Sequence, residues 1–562
     1  MPLPQTQVLV WRDLESRYVE LQARPVTPDS VYAFLLDWSE LLKTVAETGT
    51  FLQLATDLDT TDQGAQEQLS HFHQVTQPAV TIADAALRRK VLAVQKPNVP
   101  AEAIIVLQRM ETDERAYREE NVPIEAEEAD LITEYSRLTG SQLVEYEGQE
   151  LTVPEVQRNL QEPDRDVREN SWRAWQKAKL ELAPQLDELF LKLLSVRRTL
   201  ARNGGYDSFR DLIWLKYHRY DYSPEDCYEF HRNIRLEVVP LATELLEQHR
   251  KNLAVDTLLP WDFYWRLQVD PHGRPPLRPF ETVEELEEGG QRVFTALDPE
   301  LGRQFGEFRN GFCDLGSRPN KMSHAYCTSF PRREMPFVLE NVVGSEHDVQ
   351  VTLHEFGHAF HGYASMKSQP LIWNHFSATE FVEVPSQSME VIALPYLNAE
   401  KGGFYSSEEL TRVRRMQVSQ VVHLLTWIGF MDSFQHWIYQ EAPPDVTIEQ
   451  MDAKAAELIG RFMPQTNWGA FPKELGKSWH YHHIFNSPFY YIEYGLSWLG
   501  ALQLWQRSLL EPEQTLHRYR SALTLGNSRS VPELFEAAGV KFAFDRATLR
   551  EMMSFLRDEL RR

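Results

Sequence analysis

VTLHEFGHAFHG, residues 351–362, decides how this chain reads. Val351, Leu353, Phe356, Ala359 and Phe360 recur at three- and four-residue spacing with no proline among them, which predicts a helix. Gly357 costs that helix only about 1 kcal/mol of propensity. Each helical residue advances about 100°, so His354 and His358, four apart, leave the same face and can reach one metal ion. Zinc takes imidazole nitrogen at about 2.0–2.1 Å, and a catalytic site uses three protein ligands so that water keeps the fourth position. Glu355, next to the first histidine, is placed to take a proton from that water. HExxH therefore points to a catalytic zinc site and a hydrolase.

A third ligand is needed. The segment SATEFVEVPSQSMEVIALPYL, residues 377–397, offers Glu380, Glu383 and Glu390. Glu383 is the preferred ligand, because the 24 residues between it and His358 let one helix end and a second return beside it. A helix here would set Glu383, Gln387 and Glu390 on one face, so that one carboxylate ligates while another orients a histidine from outside. His361, one turn beyond His358, is a further neighbour.

A second constellation follows about 125 residues on. KSWHYHHIFNSPFYYIEYGLSWLG, residues 477–500, sets His480, His482 and His483 ahead of Tyr490, Tyr491 and Tyr494. Taken alone, such tyrosines read as core filling with satisfied hydroxyls. Beside HExxH they acquire a second reading, because peptide hydrolysis passes through an oxyanion that preorganised O–H and N–H donors stabilise. Tyr491 and Tyr494 are one helical turn apart and could point together into a cleft.

At this level the chain resembles the oligoendopeptidase F branch of the thimet oligopeptidase family of zinc metallopeptidases. The resemblance rests on YCTSFPRREMPFVLENVVGSEHDVQVTLHEFGHAFH, EFVEVPSQSME and HIFNSPFYYIEYGLS, and extends to DWSELLK, RYDYSPEDCYEFH, PWDFYWRLQVDPHGRPPLRPF and LGNSRSVPELFEAAGVKF. It implies one zinc ion per chain bound by His354, His358 and Glu383, with Glu355 as general base. It implies that Tyr494 and Tyr491 contact the scissile carbonyl or the oxyanion, joined by a histidine, for which His483 is preferred over its neighbour His482. FVLENVVG resembles the strand on which the family lays extended substrate backbone, which makes Asn341 and Gly344 expected substrate contacts. Glu390 and His361 are expected behind the ligands.

The fold so implied is mainly α. An N-terminal helical portion, residues 1–200, and a catalytic portion, residues 201–562, interleave around a deep substrate channel, with a small β element beside the HExxH helix. The implied activity is cleavage of internal bonds in short peptides. The alternative, a zinc carboxypeptidase or dipeptidyl carboxypeptidase of similar fold, would add a basic subsite for the substrate's C-terminal carboxylate. No single Arg or Lys declares itself in that role.

Global quantities agree with a soluble enzyme. The formal charge of -24 argues against a nucleic-acid partner, since a phosphate backbone demands a basic footprint. With 42% hydrophobic residues the chain can build a large core, and no low-complexity linker or repeat divides it. The N-terminus lacks a basic stretch followed by an apolar core, and no apolar run reaches about 18 residues, so neither secretion nor a membrane span is expected. Cys227, Cys313 and Cys327 cannot form a fully paired disulfide framework and have no CxxC spacing to suggest a second metal site. A reducing cytoplasm is the expected home, and Cys327 reads as an inert core thiol near the active site. Nothing in the sequence specifies an oligomer.

Helical spacing also covers residues 101–120, 154–203, 223–253, 281–309, 406–440, 447–463 and 531–561, and a helix is predicted from a Thr27 cap with Pro28 in its first turn. Strand-like residues are few: 336–343, and a hairpin over 142–152. Residues 254–280, rich in proline, read as a long ordered loop.

Overall fold

The apolar stripes read from the sequence do form helices, and 69% of the described residues are helical. The computed structural model describes residues 6–263, 270 and 272–562. Of the proline-rich stretch 254–280, the described residues carry no helix or strand, while 264–269 and 271 lie outside the described residues.

The helix predicted from Thr27 starts a turn later, at Val31, and runs to Leu58. Ser30 N and Val31 N both donate to Thr27 O, and Pro28 O accepts from Asn98 N, so residues 27–30 close a turn before the helix proper. The hairpin is present as strands β1 (Leu143–Tyr146) and β2 (Gln149–Thr152). Glu147 and Gly148, at φ 51° and 77°, make the two-residue turn whose left-handed residues match strand twist.

A three-stranded sheet contains β3 (Cys313–Gly316), β4 (Tyr326–Phe330) and β5 (Met335–Val342), in the order β3-β5-β4. The sequence announced only β5, whose near-continuous apolar run fits burial on both faces. Its partners are shorter, and β3 runs parallel to it while β4 runs antiparallel.

The described residues divide into two compact units. The first comprises the chain up to Arg115, Leu277–Thr411 and Gly500–Phe542; the second comprises Ala116–Pro276, Arg412–Leu499 and Ala543–Arg562. A single cut near residue 200, as expected from sequence, would sever the second unit at the end of its long helix Arg165–Gly204.

In the first unit, Phe294, Phe305 and Phe308 form an aromatic bed for Phe356 and Phe360. Fully burying a phenylalanine contributes about 1.5–3 kcal/mol, so this contact fixes which face of the HExxH helix is turned inward. In the second unit, Trp172, Trp261 and Phe471 are the buried centre of a separate aromatic cluster. No helix among the described residues is long and apolar enough to cross a membrane.

Candidate active site

The HExxH helix spans Glu346–Ser368. Its start is fixed by a reciprocal cap: Asp348 N donates to Ser345 Oγ, and the Asp348 carboxylate accepts from Ser345 N at 2.9 Å and Val343 N at 2.8 Å. Just before it, Gly344 turns the chain at φ 90°, where a Cβ would stand 2.9 Å from Phe280 O. Gly344 is thus required by the strand-to-helix turn.

The returning helix, Thr379–Ile392, crosses the HExxH helix at Gly357. A Cβ at Gly357 would lie 2.5 Å from Ser386 Cα and 2.9 Å from Pro385 O, so only glycine permits this approach. The crossing sets Glu383 opposite both histidines. Ser386 Oγ donates to Glu383 Oε2 at 3.0 Å and helps to aim it.

Three donor atoms converge. Nε2 of His354 and Nε2 of His358 are 3.2 Å apart, and Glu383 Oε2 is 3.3 Å from the first and 3.4 Å from the second. A tetrahedral ion with bonds of about 2.0–2.1 Å requires ligand edges of about 3.3 Å. The set therefore fits zinc without rearrangement. The side chains of His354 and His358 remain 25% and 19% exposed, which leaves one side of the triangle open. Burial opposes charge here, yet mutual attraction prevails: His358 and His354 hold the Glu383 carboxyl well below its usual range, and Glu383 and Glu390 hold the His354 imidazole well above its own.

Of the other two carboxylates offered by the sequence, Glu390 Oε1 lies 2.8 Å from His354 Nδ1, which orients the ring and directs Nε2 to the centre. Glu380 is buried and does not belong to the converging set. His361 Nε2 lies 2.8 Å from Ser377 Oγ, and burial lowers its pKa to about 3, so it stays neutral and anchors the loop after the helix. Glu355 is buried, which raises its carboxyl above the ordinary range against the pull of both histidines.

Glu340, on β5, was missed by sequence reasoning. Its Oε2 accepts from Thr352 Oγ1 at 2.8 Å, and burial, with the Glu355 charge adding to it, pushes its pKa up to about 8. Its position beside Asn341 in the quoted strand was the only signal. Asn341 Nδ2 donates to Met322 O at 2.7 Å, tying β5 to the loop between β3 and β4. Cys327, on β4, is half-buried, and burial followed by the Glu355 charge holds its thiol well above the usual range.

The aromatic donors belong to the second unit. His483 lies 4.8 Å, ring to ring, from Tyr491 and 5.8 Å from Tyr494, and these two tyrosines are 5.4 Å apart. His482 turns instead to Tyr135, at 6.2 Å, and its Nδ1 lies 3.0 Å from Asn486 Nδ2. His480 is engaged by Asp187 at 2.8 Å.

Residues 159–554 match the family model described as Peptidase family M3. The chain belongs to peptidase family M3. This M3 peptidase is 22% identical over 550 residues to "Oligopeptidase PepF" of Bacillus subtilis (strain 168), a match covering 91% of this chain and 77% of the relative. It shares its fold with the structure titled "PZ PEPTIDASE A with inhibitor 2", with a TM-score of 0.88 at 23% identity over 99% of this chain and 98% of the other. The oligoendopeptidase-F from Enterococcus faecium superposes with a TM-score of 0.62 at 15% identity, covering 98% of each chain. The M3 peptidase thus stands in the oligoendopeptidase F branch.

Proposed function

We propose that this M3 peptidase holds one catalytic zinc ion per chain at His354, His358 and Glu383, and that it cleaves internal bonds of short peptides. The observation that carries this reading is the triangle of donor atoms with edges of 3.2–3.4 Å, beside a buried glutamate that is not part of it. The oligopeptidase and oligoendopeptidase F relatives support the substrate class.

When bound, zinc supplies a Lewis acid that polarises the scissile carbonyl and acidifies the attacking water. The remaining work falls to side chains. Glu355 accepts the water proton and returns it to the leaving amine, a two-way task that suits a carboxyl raised above its ordinary range by burial. Glu390 fixes the His354 tautomer. Tyr494, with Tyr491 and His483, supplies the oxyanion donors that the resemblance assigns to this segment.

Asn341 and Gly344 mark the strand that the resemblance gives to substrate backbone. The main chain of β5 pairs with β4 over residues 335–339 and with β3 at Val338, Leu339 and Val342. Among the described residues no strand pairs with the outer edge of β4, which makes Tyr326–Phe330 an edge on which an extended peptide can add. Three free cysteines suit a reducing cytoplasm as the place of action.

The test is a peptide blocked at both ends. The wild-type protein should cleave it internally, chelation should abolish cleavage and zinc restore it, and Glu355→Gln should keep the ion yet lose about 10²–10⁴ of turnover. Cleavage confined to peptides with a free C-terminus would replace this reading with a carboxypeptidase.

A further inference from the structure

Within the second unit, two helices present metal-type side chains to one another. Cys227 and His231 stand four apart on the helix Pro224–Asn233, and Asp432 and His436 stand four apart on the helix Ser407–His436. That spacing puts each pair on one helix face, the way metal sites are built between facing helices of a bundle.

The ligand atoms of Cys227, Asp432 and His436 all lie within 4.8 Å of one another. His231 Nε2 is 2.7 Å from Asp432 Oδ2, and His436 Nε2 is 3.4 Å from the same oxygen. Cys227 and Asp432 are wholly buried, His436 is 1% exposed and His231 7%. Asp432 Oδ1 and His436 Nδ1 have no hydrogen-bond partner, and His436 Nε2 has only the Asp432 carboxylate at 3.4 Å. The His436 ring is boxed by Tyr228 at 4.8 Å, Phe489 at 5.2 Å and Trp214 at 6.0 Å, none of which offers an acceptor to those nitrogens. A buried polar atom left without a partner costs about 1–3 kcal/mol, and two belong to this cluster. The nearby Arg219 guanidinium is committed to Glu493.

We propose that Cys227, Asp432 and His436 bind a second divalent ion of the zinc class, with His231 holding the Asp432 carboxylate from behind. One sulfur, one imidazole nitrogen and one carboxylate oxygen form a donor set that zinc accepts. Thiolate and carboxylate together balance a doubly charged ion, so the ion and its two anionic ligands sum to no net charge. Coordination releases the Cys227 thiol proton to solvent. Bonds of about 2.0–2.3 Å need donor edges of about 3.3–3.6 Å, so the side chains close by about 1.5 Å at most. A cavity of about 180 Å³ reaches His231 and Ser433, the residues next to the cluster.

Cobalt(II) is the probe, because a thiolate ligand gives it a charge-transfer band in the near ultraviolet. Metal-free full-length protein should take up two equivalents, and His354→Ala one, with the thiolate band retained. Cys227→Ser should also take up one equivalent and lose the band. A single equivalent in the wild type, with no thiolate band, would overturn the proposal, as would a band that survives Cys227→Ser. If Cys227→Ser fails to fold, wild type and His354→Ala decide alone, by stoichiometry and by the presence of the band.

Discussion

Gly357 passes Ser386 so closely that a Cβ at position 357 would stand 2.5 Å from Ser386 Cα. This contact joins the helix that carries both histidines to the helix that carries Glu383. Gly357→Ala should therefore push the two helices apart at the metal triangle. Overpacking costs about 1–3 kcal/mol, which exceeds the helix-propensity gain of about 1 kcal/mol. Urea unfolding should show a lower midpoint, and chelator competition a weaker hold on zinc. A variant as stable as wild type with unchanged zinc affinity would show that the crossing has slack.

Glu390 touches His354 at Nδ1, on the side of the ring away from Glu383. Glu390→Gln retains an acceptor there and removes its charge. Zinc affinity should fall about 10–100-fold, while turnover per bound ion changes much less because Glu355 is intact. Competition with a chromogenic chelator reads the first quantity and zinc-saturated kinetics the second. An unchanged affinity would reduce Glu390 to packing.

Glu340 makes stability depend on pH. Its pKa is about 8 in the folded chain, against an ordinary 4.5, because burial disfavours the carboxylate. Between these values the folded state holds a proton that the unfolded state releases, so stability falls as pH rises, by at most about 1.4 kcal/mol per unit. Below about pH 4.5 this penalty is absent; above about pH 8 it is complete. Glu340→Gln still accepts from Thr352 and does not titrate, so it should be more stable than wild type at pH 9 and nearly equal at pH 5. Urea midpoints that differ by the same amount at both pH values would contradict the assignment.

His483 packs on Tyr491 and Tyr494, whereas His482 faces Tyr135 and Asn486. Removal of one oxyanion donor costs about 10²–10³ in kcat, so His483→Ala should lose activity on that scale with little change in KM. His482→Ala should stay within a few-fold of wild type. The reverse order of losses would transfer the role to His482.

Much of the site was legible because it is local. HExxH spacing puts His354 and His358 on one helix face with Glu355 beside them, and that geometry needs no partner to be read. Pro385 and Ser386, by contrast, gave no sign that their backbone would meet Gly357, since the crossing depends on two helices separated by a long connection. The three carboxylates Glu380, Glu383 and Glu390 looked alike in the chain. They separate only when the helix crossing places Glu383 at both Nε2 atoms and Glu390 at the far nitrogen of His354.

By itself the sequence determined the helical character, the zinc-type motif and the strand before it, because periodicity and four-residue spacing are properties of a single segment. Only the tertiary structure decided that β5 is the central strand with β3 and β4 at its sides, that Glu340 lies buried against Thr352, and that Cys227 and His231 meet Asp432 and His436. These outcomes depend on close packing between distant segments, where tenths of an ångström and the loss of water set the energy. No local pattern encodes that.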